Sequence, residues 1–350
     1  MFESPGFAGH ESLHHFYDED SGLRAIIALH STARGPGGGG CRMWNYATAD
    51  EAISDALRLS QGMSYKNAVA DLPLGGGKAV VWGDPHKDKS PELFRALGRA
   101  IDSLNGAYWS AEDVGVTPAD MAYVREETRY VAGLDEGEAA SGDPSPVTAR
   151  GVFMGMQAAA ERAFGTTGLS NRVIAIQGAG NVGGGVCRLA ADAGAKLYIS
   201  DVNQDALQQI AEETGATIVD PDAIYDVEMD IFSPNALGGS INTDTLKRLS
   251  CKLIAGGANN QLATPDMGAA LQDKGVVYAP DFVINGGGII NIASEISGVY
   301  DPAWVDKKLD GLVETLMRVI DEAAQREQPA HLVAEALAHK RIAEAASRKT

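Results

Sequence analysis

The chain has 350 residues, 45% of them hydrophobic, which is too long for one typical domain and enough for two cored ones. Its 47 acidic against 29 basic residues leave a formal net charge of −18, which repels phosphate backbones and anionic membranes and argues against nucleic acid or lipid headgroups as partners. Three widely spaced cysteines, Cys41, Cys187 and Cys251, form neither a zinc pattern nor a disulfide framework; residues 1–9 lack the basic and apolar regions of a secretory signal, and no apolar run reaches a membrane span, so a reducing cytoplasm is expected.

In chain order, residues 23–29 (LRAIIAL) predict a buried strand. Thr48-Ala-Asp-Glu51 is a capping box that opens a helix toward Gly62. Residues 78–82 (KAVVW) predict a strand closed by Gly83-Asp-Pro85, and Ser90-Pro91 supplies an N-cap and an N1 proline for a helix to about Leu104. A short strand over 107–110 follows Asn105-Gly106, and Thr117-Pro118 caps the next helix. Two prolines and a glycine in Ser141-Gly-Asp-Pro-Ser-Pro146 predict a loop that serves as the interdomain hinge. A helix over 147–164 comes next, then an apolar strand over 173–177 (VIAIQ) that runs straight into glycines. Strands over 196–200, 230–233, 252–255 and 276–279 alternate with helical stretches such as 205–213, and helices over 301–327 and 330–347 close the chain. The alternation predicts two α/β domains with mostly parallel sheets. Glycine clusters at 37–40, 75–77, 183–185 and 286–288 mark places where the backbone turns tightly or approaches a ligand.

Gly178-Ala-Gly180-Asn-Val-Gly183 matches GxGxxG in its required setting: a buried strand before it, a helix after it, and an acidic residue, Asp201, ending the next strand. The first glycine permits the tight turn, the second lets the backbone approach a pyrophosphate, and the third lets helix and strand pack closely. An ordinary strand-to-helix glycine turn would give the same letters without that setting. Asp201 would accept hydrogen bonds from the adenosine ribose and repel a 2′-phosphate, which favours NAD over NADP.

In the first third, Gly75-Gly-Gly-Lys78 has the look of a phosphate loop but fails its pattern, because Leu72 stands where a glycine is needed and Ala79 follows the lysine. A lysine held by glycines at the edge of a buried strand is partly desolvated, which lowers an ammonium's pKa and makes a usable base. A surface lysine after a turn is the plainer reading. Asp113, between a short strand and a helix cap, reads by itself as a turn aspartate. His10-Glu-Ser-Leu-His14 satisfies the zincin HExxH letters, but that motif needs both histidines on one helix face, and the segment leads into a strand over 13–17 with no third ligand after it. No metal is expected.

Several longer motifs point the same way: Gly35-Pro36 with Gly39-Gly-Cys-Arg-Met43, Met63-Ser-Tyr-Lys66-Asn-Ala68, Leu72-Pro-Leu-Gly-Gly-Gly-Lys78, Ala111-Glu-Asp113-Val-Gly115, Asp143-Pro-Ser-Pro-Val-Thr148, Gly257-Ala-Asn259-Asn-Gln261 and Pro280-Asp-Phe-Val-Ile-Asn285-Gly-Gly-Gly288. With them the chain resembles, over nearly its whole length, the glutamate/leucine/phenylalanine/valine dehydrogenase superfamily, and most closely its leucine and phenylalanine dehydrogenase branch. The resemblance implies NAD-dependent oxidative deamination of an apolar L-amino acid to the 2-oxo acid and ammonia, with the reverse reductive amination, in a homo-oligomer. It implies an α/β protein of two domains with a cleft between them. The first, a mixed α/β catalytic domain, would cover 1–140 plus a returning C-terminal helix at about 328–350; the second, a Rossmann NAD-binding domain, would cover 141–327.

Carried over residue by residue, Lys78 would activate the water that attacks the imino acid, and Asp113 would shuttle protons to and from the amine. Lys66 would hold the substrate carboxylate, with Gly39 and Gly40 as backbone amides near it. Gly38, Met63, Ile289 and Ile292 would border the substrate. Thr148, Asn259 and Asn285 would border the nicotinamide ribose, the two asparagines touching substrate as well. Gly178, Gly180, Asn181, Val182, Gly183, Asp201, Val202, Asn235 and Ala236 complete the cofactor set. Two departures stand out. Asn235 occupies a position that is often cysteine in this branch, and Gly37-Gly38 replaces the usual alanine-leucine of leucine dehydrogenases, which removes side-chain volume from the pocket. A glutamate dehydrogenase would need an extra cation where this chain has Gly38, Ile289 and Ile292. A non-catalytic NAD-binding sensor on the same scaffold would have no reason to keep Lys66, Lys78 and Asp113.

Overall fold

The computed structural model describes residues 2–134 and 142–349, and among them the chain forms two compact units. The first comprises Met1–Pro144, Ile289–Val305 and Leu337–Thr350; the second comprises Ser145–Gly288 and Asp306–Ala336.

The first unit begins with β1 (Ser12–Asp18), β2 (Leu23–Ser31), β3 (Gly37–Trp44), α1 (Ala49–Val69), β4 (Gly75–Trp82), α2 (Pro91–Asp102), β5 (Tyr108–Glu112) and α3 (Pro118–Glu127). The strands lie in the order β1-β2-β4-β3-β5. β1 and β2 form a hairpin and β2 runs antiparallel to β4, whereas β3 is parallel to both its neighbours. This sheet is therefore mixed rather than mostly parallel, since a hairpin link forces antiparallel pairing. The caps read from sequence form: Thr48 accepts from Glu51 N, Ser90 from Leu93 N, and Thr117 makes a full capping box with Asp120. At the first of these the Glu51 carboxylate reaches Ala47 N, one residue short of closing the box, and the helix runs on past Gly62 to Val69.

Neither 37–40 nor 75–77 is a loop: both glycine runs are buried strand. Glycine is a poor strand former, so pairing on both sides overrides propensity here. Close packing explains the composition. A Cβ at Gly39 would overlap the Gly77 carbonyl, and one at Gly77 would sit 2.6 Å from the Tyr108 ring. The β3–β4 register runs through Gly38↔Gly76 and resumes at Cys41↔Ala79. In the gap the Tyr108 hydroxyl accepts from Ala79 N at 3.0 Å and donates to the carbonyls of Gly40 at 3.0 Å and Gly39 at 3.2 Å.

The second unit holds α4 (Ser145–Phe164), β6 (Val173–Gln177), α5 (Asn181–Asp192), β7 (Lys196–Ser200), α6 (Gln204–Thr214), β8 (Thr217–Ile218), β9 (Ile231–Pro234), α7 (Thr243–Arg248), β10 (Leu253–Ile254), α8 (Asp266–Asp273), β11 (Val277–Tyr278) and α9 (Asp281–Ile284). Its strands are all parallel, in the order β11-β10-β9-β6-β7-β8. Counted from β6, this is the doubly wound order 3-2-1-4-5-6, with its switch point between β6 and β9.

Three helices close the chain: α10 (Gly287–Ile296), α11 (Pro302–Arg326) and α12 (Ala330–Ser347). The unit boundaries differ from the expected ones. Residues 289–305 belong with the first unit, where the Glu295 carboxylate accepts from Gly133 N at 2.7 Å. The C-terminal return starts at Leu337, inside α12. There Arg341 donates to the carbonyls of Ala68 and Val69, both at 2.8 Å, so α12 closes the open C-terminal end of α1. Of the expected hinge and the 140/141 boundary, residues 140 and 141 lie outside the described residues; α4 already begins at Ser145, so Ser145 and Pro146 are helical.

Tyr108→Phe removes one donor and one acceptor from the buried seam between β3 and β4. It should cost about 1–3 kcal/mol, the penalty for stranded buried polar groups. Urea unfolding monitored by circular dichroism checks this; an unchanged midpoint would mean that the seam closes without the hydroxyl.

Candidate active site

Lys78 stands on β4 and is 5% exposed. Its Nζ lies 2.7 Å from Asp113 Oδ2, just beyond β5. Because β3 runs between those two strands, the pair reaches across it at Gly40: a Cβ there would lie 2.9 Å from Asp113 Cβ and 3.3 Å from Lys78 Nζ. Gly40 thus keeps β3 bare where the two charges meet. Arg42, two residues on and so on the same face of β3, places Nε 3.2 Å from the same Asp113 oxygen. Burial by itself would push the Asp113 carboxyl up; Lys78 and Arg42, with hydrogen bonds from Lys78 and the Val114 backbone, outweigh it and hold it at about 2.

α1 lies over the glycine strands. Met63 Cγ lies 3.1 Å from where a Gly39 Cβ would be, and Lys66 is one turn further along the same face, half-buried. Asn67 donates to the carbonyls of Gly38 at 3.3 Å and Gly75 at 2.5 Å. A Cβ at Gly38 would meet Leu74 Cδ1 at 3.1 Å, so Leu74, 2% exposed, takes up part of the volume that the glycine frees. Ile289 and Ile292 are one turn apart on α10 in the same unit, the first buried and the second half-buried. The HExxH histidines share no helix: His14 is in β1, while His10 precedes it and pairs Nε2 with Leu57 O at 2.9 Å.

In the second unit, Gly178 has a φ of +99°, which a side chain would disfavour. A Cβ at Gly183 would overlap the Gly178 carbonyl, whereas Gly180, the N-cap of α5, faces open space. The first glycine thus makes the turn, the third permits close packing and the second leaves the backbone open. Asp201 directly follows β7, where its two oxygens already accept from Ala179 N at 2.6 Å and Asn203 N at 2.8 Å, so the carboxylate also fastens the glycine turn. A cavity of about 280 Å³ is lined by Gly178, Asp201, Val202 and Ala236, together with Gln177, Ser200 and Ser240. Gln177 Oε1, Ser200 Oγ and Ser240 Oγ are buried there without hydrogen-bond partners among the described residues. Asn235 Oδ1 accepts from Gly257 N at 2.8 Å, while its Nδ2 donates to Ser233 O at 2.9 Å and Ser233 Oγ at 3.0 Å. A cysteine could not make this bridge, which gives Asn235 a structural role. Asn285 donates to Asn259 Oδ1 at 2.8 Å and Gly257 O at 3.2 Å, and its own buried Oδ1 has no partner. Val182 Cγ1 packs against Gly257, and Thr148 lies in the first turn of α4 beside Gly287. Asn181 and Val202 are exposed. The open glycine turn and these orphaned acceptors fit a dinucleotide.

A family model described as "Glu/Leu/Phe/Val dehydrogenase, dimerisation domain" matches residues 10–130, and one described as "Glutamate/Leucine/Phenylalanine/Valine dehydrogenase" matches residues 199–349. The chain belongs to this family of amino acid dehydrogenases. It is 51% identical over 325 residues to a leucine dehydrogenase of Thermoactinomyces intermedius, covering 93% of this chain and 88% of that one. It is 48% identical over 295 residues to a phenylalanine dehydrogenase of Bacillus thermotolerans, covering 83% and 77%. The solved structure of L-tryptophan dehydrogenase from Nostoc punctiforme superposes with a TM-score of 0.84 at 38% identity, covering 96% of this chain and 97% of that one. The family's coenzyme is NAD or NADP.

Sequence reasoning passed over Tyr108, Leu74 and the buried polar atoms around Gln177, because a tyrosine, a leucine or a glutamine in a strand or turn carries no signal of its own. It also passed over His30. That imidazole is 8% exposed and hydrogen-bonds Ser64 Oγ at 2.8 Å, two residues before Lys66. Burial, reinforced by His10, lowers its pKa to about 4. A folded-state pKa below the unfolded value means that this stability is complete above about pH 6.5 and is lost as the pH falls through about 4. His30→Gln should therefore lose less stability than the parent between pH 7 and pH 4.5, by on the order of 1–3 kcal/mol. Paired urea melts at the two pH values decide; equal acid losses in both proteins would show that His30 is not the group responsible.

Proposed function

We propose that the chain uses NAD to oxidise an apolar L-amino acid to its 2-oxo acid and ammonia, and runs the reverse amination. The close contact of buried Lys78 with half-buried Asp113 carries this reading. Lys66, on the face of α1 over the glycine strands, holds the substrate carboxylate, with the Gly39–Gly40 backbone beside it. Hydride can leave Cα only from a neutral amine, so a carboxylate must take the amine's proton, and Asp113 is held in the ionised form that does so. A nicotinamide coenzyme, which Gly178, Gly180 and Gly183 would hold at the glycine turn, would supply the hydride acceptor of the forward reaction and the hydride donor of the reverse. Lys78 then removes the proton of the water that adds to the imino carbon, and Asp113 hands a proton to the departing nitrogen. Thr148, Asn259 and Asn285 orient the ribose and amide end, and Asp201 the adenosine end.

Lys78→Ala should lower kcat on the order of 10²–10⁴-fold while NADH fluorescence titration gives an unchanged Kd. A variant keeping a tenth of the parent kcat would make Lys78 structural only. Asp201 should favour NAD over NADP by roughly tenfold in kcat/KM, or about 1.4 kcal/mol, and parity between the coenzymes would refute that. The first family model's description as a dimerisation domain supports a homo-oligomer, which light scattering on the purified chain tests.

Substrate size turns on Gly38, which shares its face of β3 with Gly40 and Arg42. Each methylene of space there is worth about 0.8 kcal/mol to a side chain that fills it, roughly fourfold in kcat/KM. We propose that phenylalanine is accepted alongside leucine. Gly38→Ala needs only the flexible end of Leu74 to yield, so the variant should fold. It should depress kcat/KM for phenylalanine more than for valine. Parallel losses would put Gly38 outside the side-chain pocket.

A further inference from the structure

We infer that Arg42 is a positioning residue for this reaction: its guanidinium holds the Asp113 carboxylate in place and keeps it charge-compensated while Lys78 gives up and regains its proton. The inference rests on the reading of Lys78 and Asp113 as the proton-handling pair.

The placement follows from the sheet. The β3–β5 register ends at Cys41↔Glu112, so Arg42, next on β3, and Asp113, just past the end of β5, come side by side. Arg42 is gripped on its far side by α1, where its NH1 lies 3.1 Å from Asp55 Oδ2. Asp55 is fixed in turn by the Tyr46 hydroxyl at 2.7 Å and by Arg58 at 2.6 Å. The result is a chain of alternating charge: Lys78, Asp113, Arg42, Asp55, Arg58. The Cys41 thiol beside it is fully buried, and burial pushes it up to about 12, so it adds no charge.

The reaction explains why a second cation is needed. When Lys78 is neutral, a half-buried carboxylate paired with it alone would lose the charge that offsets its partial loss of water, which is unfavourable. A guanidinium does not titrate in the working range, so Arg42 compensates Asp113 at every stage. Its fork also lets Nε serve Asp113 while NH1 serves Asp55, which a single ammonium cannot do from one fixed position.

Arg42→Gln, Arg42→Lys, Asp55→Asn and Asp113→Asn, each as the full chain, test the idea. Arg42→Gln should lower kcat by about tenfold or more, with NADH affinity and amino acid KM within about threefold of the parent. Removing a fixed positive charge stabilises every proton in the cluster. The limb on which kcat rises with pH should therefore move upward by about half a unit or more. Arg42→Lys should bring that limb back toward its original position. Asp55→Asn removes a negative charge and should move the limb down, and it carries the test should Arg42→Gln fail to fold. Unmoved limbs, or parent kcat in Arg42→Gln, would overturn the inference. Parent kcat in Asp113→Asn would instead sink the reading of Asp113, and the inference with it.

Discussion

A buried ammonium, Lys78, meets a half-buried carboxylate, Asp113, at 2.7 Å, and each offsets the other's loss of water. Much of the first unit answers to that constraint. The two groups come from β4 and from the end of β5, with β3 between them, so β3 must be bare at Gly40. The strands must also approach closely, which excludes a side chain at Gly39 and leaves Gly77 to receive the Tyr108 ring. Tyr108 then supplies the hydrogen bonds that the interrupted β3–β4 ladder lacks. The glycine runs are therefore packing solutions to this charge pair, in strands that pairing on both sides holds extended.

α1 is tied to the same arrangement from above and behind. Asp55 in its second turn holds Arg42, Asn67 near its end joins two glycine carbonyls, and Met63 covers Gly39. Its last turn, which carries Lys66, is closed by Arg341 from α12. His339 adds a hydrogen bond to the Tyr65 hydroxyl at 2.9 Å. The final helix thus fixes the turn that carries Lys66, far away in the sequence.

The second unit solves a different problem. An all-parallel sheet leaves its strand ends open at the switch point between the paired strands β6 and β9, where the strand order reverses. The side chains there make backbone-directed bonds, Asp201 to the glycine turn, Asn235 to Gly257 and Asn285 to Gly257, and Asn285 also donates to the Asn259 side chain. Such bonds fix loop shape while leaving the acceptors of Gln177, Ser200, Ser240 and Asn285 unpartnered. Asn235 shows how a departure from the usual residue is absorbed, since the amide spans two loops that a thiol could not join.

Local chemistry was legible from the sequence. Thr48, Ser90 and Thr117 cap helices because their side chains bond the nearest amides, and the GxGxxG turn is defined by three residues whose conformational demands are their own. The alternation of elements gave the parallel second sheet, and the longer motifs pointed to the family to which the chain belongs. Long-range packing decided the rest. Residues 37–40 and 75–77 read as turns because glycine's local preferences say so, and only the neighbouring strands make them β. Asp113 reads as a turn aspartate until Lys78 and Arg42 arrive from two other strands. Arg42, Tyr108 and Asp55 gain meaning only through partners tens of residues away. Pairing across a sheet depends on which strands become neighbours, and that order, β4-β3-β5, is a property of the whole folded unit rather than of any window of its sequence.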